Sequence, residues 1–220
     1  KRSSLCGRSF EYYSEDPYLS GKLAAGFIRG AQKQGVSACA KHYAANAQEL
    51  LRMHSDSVMD ERTLREMYLT NFEIAIKEGK PGFVMTAYNR VNGVYANESR
   101  HLLGDILRGE WGFDGAVVTD WGGSNSIVEG VREGMNLEMP AAGDDSPCQL
   151  VKAVKNGTID EKIVDERVDQ LLDFVLAEHK SGETSFDAAK QHQAAEAAAE
   201  KCLVLLKNDE HLLPLKKDAR

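Results

Sequence analysis

Lys41-His42 and Asp120-Trp121 are the places in this sequence where residue type and position together suggest chemistry. Each pair closes a short apolar run: the stretch from Val36 to Tyr43 holds the first, and Ala116-Val-Val118 leads into the second through Thr119. Short β-branched and apolar runs read as strands buried on both faces, as in a parallel sheet. Tyr88 ends a third run that begins at Gly82 and also carries Met85, and Glu138 sits in a very short fourth, Leu137-Glu-Met139, stopped by Pro140. Parallel strands deliver their C-terminal ends to one mouth, and such folds build their sites there. Singly, each residue has a plainer explanation: Asp120 as the cap of a following helix, Lys41 as a solvated strand end, His42, Met85 and Tyr88 as core, Glu138 bonded to backbone. Four successive strands ending in polar groups favour one shared site over four coincidences.

A carboxylate, long cationic and amide donors and aromatic walls suit a hydroxyl-rich ligand. Donors bond the hydroxyls while the Trp121 indole covers the C–H face of a ring. A metal fits less well: His42, His54 and Asp56 lie in or near one loop without a helical ligand spacing, and Cys6, Cys39, Cys148 and Cys202 form no CxxC pair. No metal or other cofactor is therefore assigned. Lys41 at a strand end is also compatible with Schiff-base chemistry, which needs an apolar pocket, whereas His42 and the polar Asn46, Gln48 and Glu49 follow it at once.

The elements that must position these groups alternate. Asp16-Pro17 opens a helix that Gly35 ends, with Leu23, Phe27, Ile28 and Ala31 on one face. The strand Val36–Tyr43 follows, then a loop and a helix from about Asp60 to Glu78 lined by Leu64, Met67, Tyr68, Phe72 and Ala75. The strand from Gly82 to Tyr88, a turn at Val91-Asn-Gly-Val94 and a helix from Leu102 to Glu110 lead to the strand ending at Asp120. A helix near Ser126–Glu133 and the short strand at Glu138 come next. Cys148–Lys155 reads as a helix, Thr158-x-x-Glu161 as a capping box opening another that Ser181-Gly182 breaks, and Ala188–Lys207 as an Ala-rich helix. Four βα units make half of a (β/α)₈ barrel or most of an open doubly wound sheet, and the absence of a Gly-rich phosphate loop after any strand disfavours the nucleotide-binding sheet.

Bulk properties bound the partners. The 220 residues are 42% hydrophobic and 28% charged, the balance of a soluble globular domain, and no apolar run approaches the ~20 residues that span a bilayer. A net charge of -7 argues against nucleic acid. Asn97 and Asn156 head N-x-S/T sequons that matter only in a secreted protein, so localisation is open between cytoplasmic and secreted.

Four long motifs in order carry a resemblance. Cys6-Gly-Arg-Ser-Phe-Glu-Tyr-Tyr-Ser-Glu-Asp-Pro-Tyr-Leu19, Ala40-Lys-His-Tyr-Ala-Ala-Asn46, Met85-Thr-Ala-Tyr-Asn-Arg-Val-Asn-Gly93 and Trp111-Gly-Phe-Asp-Gly-Ala-Val-Val-Thr-Asp-Trp-Gly122 together resemble the β-glucosidase branch of glycoside hydrolase family three. The loop Ala44-Ala-Asn-Ala-Gln-Glu-Leu-Leu-Arg52 lacks the Gly-His-Gly of that family's N-acetylglucosaminidase branch. The resemblance implies the C-terminal part of a (β/α)₈-type barrel over residues 1–180. It also implies, over residues 181–220, a linker helix toward an α/β sandwich domain, with Glu200-Lys-Cys-Leu-Val-Leu-Leu-Lys-Asn208 and Leu212-Leu-Pro-Leu215 leading into it. The activity it implies is retaining exo-hydrolysis of terminal β-D-glucosyl residues, with Asp120 as nucleophile. Arg8, Lys41, His42, Arg52, Met85 and Tyr88 would line the sugar subsite and Trp121 its aromatic platform. No residue here matches the acid/base motif, so that carboxylate, the upstream barrel strands and the second domain are expected from outside these residues. The chain is expected to be a fragment that forms no stable barrel alone. The alternatives are a β-xylosidase or broad exo-glycosidase, a non-catalytic carbohydrate-binding or structural module, and the Lys41 aldolase. Expected partners are a β-glucoside or oligosaccharide and the remainder of the same enzyme; the oligomeric state is open, a homo-oligomer included.

Overall fold

The computed structural model describes residues 4–141, 143–178 and 185–218. Lys1–Lys180 and Ser181–Arg220 form two units. The first runs through α1 (Pro17–Gln32), β1 (Cys39–Tyr43), β2 (Asp56–Ser57), α2 (residues 61–79), β3 (Phe83–Thr86), β4 (Arg90–Val91), β5 (Val94–Tyr95), α3 (His101–Glu110), β6 (Ala116–Val118), α4 (Ile127–Glu133), α5 (Asp145–Lys155) and α6 (Glu161–Glu178). β1, β3 and β6 pair in parallel in that spatial order, with Val84 beside Val117 and Met85 beside Val118. Sequential parallel neighbours joined by α2 and α3 are successive βα units of one sheet. A second, smaller sheet forms beyond their C-terminal ends, where β2 lies parallel to β4 and β4 turns back into β5.

One sheet face is sealed by the helices. Val84 and Val117 are buried with Tyr43, Leu64, Leu69, Phe72, Leu102, Leu103, Ile106 and Leu107, which bring the apolar sides of α2 and α3 onto the strands. Ile127, Val131, Met135, Ala153 and Ile159 form a separate cluster under α4 and α5. α1 starts as its sequence requires: the Asp16 carboxylate accepts the Leu19 N–H at 2.8 Å, with Pro17 first in the helix. It crosses α2 closely at Gly21, where a Cβ would stand 2.8 Å from Ile74 Cβ.

β6 is fastened by polar groups. Asn136 Oδ1 accepts the Val117 N–H and an Arg108 N–H, both at 2.8 Å, while its amide donates to the Arg167 carbonyl at 3.1 Å and to Gln170 Oε1 at 2.9 Å. Arg108 also donates to the carbonyls of Phe113, Gly115 and Gly134. Burial lowers its guanidinium to about 10.

Several local expectations change. Leu137–Met139 is not a strand: only Leu137 bridges Val118, although Thr119 donates to Leu137 O and Gly122 to Met139 O, so the segment still braces the chain around Asp120. The first strand begins at Cys39 rather than Val36, which is exposed beyond the Gly35 turn, and it ends at Tyr43 as expected. The third run pairs only as far as Thr86, which leaves Tyr88 and Asn89 in the turn after it. α6 is not opened by a Thr158 capping box: Thr158 bonds Asn156 instead, and Asp160 accepts the Lys162 N–H at 3.0 Å. α5 starts at Asp145, three residues before Cys148. β2, expected as loop, finds its partner only through tertiary pairing. Asn97 is fully buried, its Oδ1 accepting from Thr86 at 3.3 Å, so of the two sequons only Asn156 is exposed. The expected break at Ser181-Gly182 lies outside the described residues.

In the second unit α7 (Ala188–Cys202) starts at Asp187, which accepts the Lys190 N–H at 3.1 Å. It stops five residues short of Lys207, because the unbroken apolar run Leu203-Val-Leu-Leu206 has no helical period and is extended from Leu203. Among the described residues no helix is long and apolar enough to cross a membrane.

Asn136→Ala strips partners from the buried Val117 N–H and from Arg108 together. The expected loss is about 2 kcal/mol of unfolding free energy, measured by denaturant titration of the full-length protein; a loss under about 0.5 kcal/mol, the range of ordinary surface substitutions, contradicts the fastening role.

Candidate active site

Strand order decides which side chains meet. His42 from β1 and Asp120, two residues past β6, approach across the end of β3, from which Tyr88 follows by two residues. His42 Nε2 stands 3.3 Å from Asp120 Oδ2, and both residues are nearly removed from solvent, at 4% and 8% exposure. The Asp120 carboxylate folds back on its own turn: Oδ1 accepts the Trp121 N–H at 2.7 Å. Oδ2 is buried and makes no hydrogen bond of good geometry among the described residues. A carboxylate oxygen held out of water with its lone pairs unspent is costly unless something else uses it.

The other expected residues surround this pair at different ranges. The Tyr88 hydroxyl donates to the Trp121 carbonyl at 2.8 Å, fixing the turn on which Trp121 stands. Burial and then the charge of Asp120 raise the Tyr88 phenol, so it remains a proton donor. The Arg52 guanidinium lies 4.8 Å from the centre of the Tyr88 ring and bonds Glu49 at 2.8 Å. Arg8 pairs with Glu11, and its charge is felt by both Tyr88 and His42. Trp121 is 54% exposed. Lys41 and Met85 stand at the margin. Lys41 is exposed, as a β1 side chain alternating with buried His42, and Met85 is half-buried beside Val118. The exposure of Lys41 disfavours Schiff-base chemistry, which requires a desolvated amine. Glu138 accepts from Ser146 Oγ at 3.1 Å.

The structure adds one residue that sequence reasoning did not single out, Tyr12, and gives two of the available carboxylates their partners. Tyr12 OH is 2.9 Å from His42 Nδ1, and Glu11 and Glu49 anchor the two arginines. The Tyr12 contact, between residues 30 apart, leaves no local signal, whereas the Arg8–Glu11 and Arg52–Glu49 pairs each join residues three apart. Burial works against ionising Glu11, and Arg8 overrides it, holding the carboxyl below its usual range. Among the described residues no group of three or more His, Cys, Asp or Glu side chains is placed to hold a metal ion.

Residues 1–174 match the family described as Glycosyl hydrolase family 3 N terminal domain. The chain is 49% identical to thermostable beta-glucosidase B of Acetivibrio thermocellus over 99% of its own length and 29% of that protein. It is 42% identical to an Exo-alpha-(1->6)-L-arabinopyranosidase of Bifidobacterium longum, covering 98% of this chain and 28% of that one. It superposes with a TM-score of 0.92 on the structure of beta-glucosidase 3B from Thermotoga neapolitana in complex with glycerol, at 42% identity, covering 98% of this chain and 32% of that one. The chain thus spans under a third of the length of these relatives.

Burial outweighs the Asp120 charge and pushes His42 down to about 4 from an ordinary 6.5. The unfolded chain then binds a proton between these values that the folded protein refuses, so stability is full above about 6.5 and falls as pH drops toward 4. On the order of 3 kcal/mol of this acid loss is expected to vanish in His42→Gln, compared by denaturant titration across that window. Parallel pH profiles for the two proteins contradict a buried neutral imidazole.

Proposed function

Because the chain belongs to glycosyl hydrolase family 3, we propose that it carries the sugar-binding and nucleophile part of a retaining exo-β-glucosidase, with Asp120 as the nucleophile. The observation that carries the assignment is the buried Asp120 Oδ2, unspent among His42, Tyr88 and the exposed Trp121 indole. In the first step Asp120 attacks the anomeric carbon, the glycosidic bond breaks, and the departing oxygen takes a proton from a general acid; water then releases the sugar with retained configuration. His42, Tyr88, Arg8, Arg52 and Lys41 supply hydroxyl contacts and positive charge around the reacting ring, Met85 lines its edge, and Trp121 covers its apolar face.

The general acid comes from elsewhere in this reading. A proton donor needs a pKa near working pH, and Glu11 is held the other way by Arg8 while Glu49 is engaged with Arg52. The short span of the chain relative to its relatives supports a longer enzyme. In it, residues 1–180 belong to a (β/α)₈-type barrel and residues 181–220 lead into a further domain. The parallel order β1-β3-β6, with α2 and α3 on one face, supports that architecture.

A pentopyranoside-cleaving exo-glycosidase is a second reading, favoured by the 42% identity to the arabinopyranosidase. Comparing kcat/KM for aryl β-glucoside, β-xyloside and α-L-arabinopyranoside separates the two. In the full-length enzyme Asp120→Asn is expected to lower kcat by about three orders of magnitude or more while Kd for glucose changes little. Near-wild-type turnover, or loss of sugar binding in step with turnover, overturns the nucleophile assignment.

A further inference from the structure

We infer that Tyr12 is a positioning residue: its hydroxyl donates to His42 Nδ1, confines the imidazole proton to Nε2, and so turns an N–H donor toward Asp120. The inference rests on the reading of Asp120 as the reacting carboxylate, and it concerns a residue outside the set expected to line the sugar subsite.

A neutral imidazole has one N–H and one lone pair, and its partners decide which nitrogen carries which. Two arrangements fit the distances of 2.9 Å from Tyr12 OH to Nδ1 and 3.3 Å from Nε2 to Asp120 Oδ2. With the proton on Nδ1, the phenol oxygen accepts and the Nε2 lone pair faces a buried carboxylate oxygen that has no hydrogen bond of good geometry among the described residues. That places two electron-rich atoms against each other where water cannot intervene. With the proton on Nε2, both contacts are attractive: Nε2–H faces the carboxylate and Nδ1 accepts from the phenol. Tyr12 can serve because burial raises its phenol and keeps the proton on it. A backbone carbonyl in the same place could only accept, and would impose the opposite tautomer. A hydroxyl is therefore the group this geometry requires.

The chain builds the contact deliberately. Ser9–Glu11 forms a single tight turn, Tyr12 N–H closing it on Ser9 O at 3.3 Å, and the Arg8–Glu11 ion pair staples it. The Tyr12 ring then leans on His42 with centroids 6.5 Å apart. The consequence is directional: a sugar hydroxyl that reaches Nε2 meets an N–H and must accept from it, while one that reaches Asp120 Oδ2 meets an acceptor and must donate.

The test uses the full-length enzyme labelled with ¹⁵N-histidine, together with Tyr12→Phe, His42→Gln and the double variant. In the unmodified protein His42 should report an unprotonated Nδ1 and a protonated Nε2; a protonated Nδ1 overturns the inference. That measurement needs neither a substrate nor a variant, so it stands even if no β-glucoside is cleaved and the functional reading fails. In Tyr12→Phe the Nδ1 signal should shift toward the protonated form, and kcat/KM should fall about 10-fold. His42→Gln keeps an amide near Nε2 but offers no Nδ1, so adding Tyr12→Phe there should cost less than about twofold. An equal loss in both backgrounds means that Tyr12 acts through general packing, which overturns it.

Discussion

The cost of holding Asp120 out of water is the constraint on which the rest of this structure depends. An ionised carboxylate in a protein interior is tolerated only where hydrogen bonds or opposite charge replace its hydration. Here the backbone replaces half of it, through the Trp121 N–H, and leaves Oδ2 facing an imidazole edge across 3.3 Å. The surrounding arginines and lysine add positive potential without quenching that oxygen, since Arg8 and Arg52 are already paired with Glu11 and Glu49. The site therefore stores an acceptor that a ligand or an electrophilic carbon can complete.

Keeping that arrangement in place falls to the sheet. β6 is only three residues long, yet every one of its side chains is buried. Arg108 and Asn136 tie its start to α3 and α6, and the braced segment at 137–139 runs beside its end. Apolar burial by α2 and α3 fixes the strand laterally, and these polar ties fix it along its length. Tyr88 completes the frame from β3 by clasping the Trp121 carbonyl. A shift of β6 would move Asp120, Trp121 and the Tyr88 contact together, so the stability of the strand and the geometry of the carboxylate are one property.

Much of this was legible in the sequence, for physical reasons that differ by residue. The run Ala116-Val-Val118 announced a buried parallel strand, and Asp16-Pro17 announced the start of α1, because both signals are local. Asp120, His42, Tyr88 and Trp121 could be grouped because parallel strands bring their C-terminal ends together. Tyr12 could not, since its role depends on a hydroxyl meeting a ring 30 residues away. Strand limits escape the sequence pattern where tertiary pairing decides them: Leu137–Met139 alternates like a strand but bridges at one residue, and β2 has no pattern at all. The Thr158 capping box failed because Asn156 offered that hydroxyl a nearer partner, at 2.6 Å.

The central claim is covalent, and trapping tests it most directly. A 2-deoxy-2-fluoro-β-glucoside with a good leaving group slows breakdown of a glycosyl-enzyme more than its formation, so the intermediate accumulates. Incubated with the full-length enzyme and mapped by peptide mass spectrometry, the sugar should be found esterified to Asp120, one per chain, with activity lost in step. A glycosyl adduct on a different carboxylate, or inactivation with Asp120 unmodified, would contradict the account.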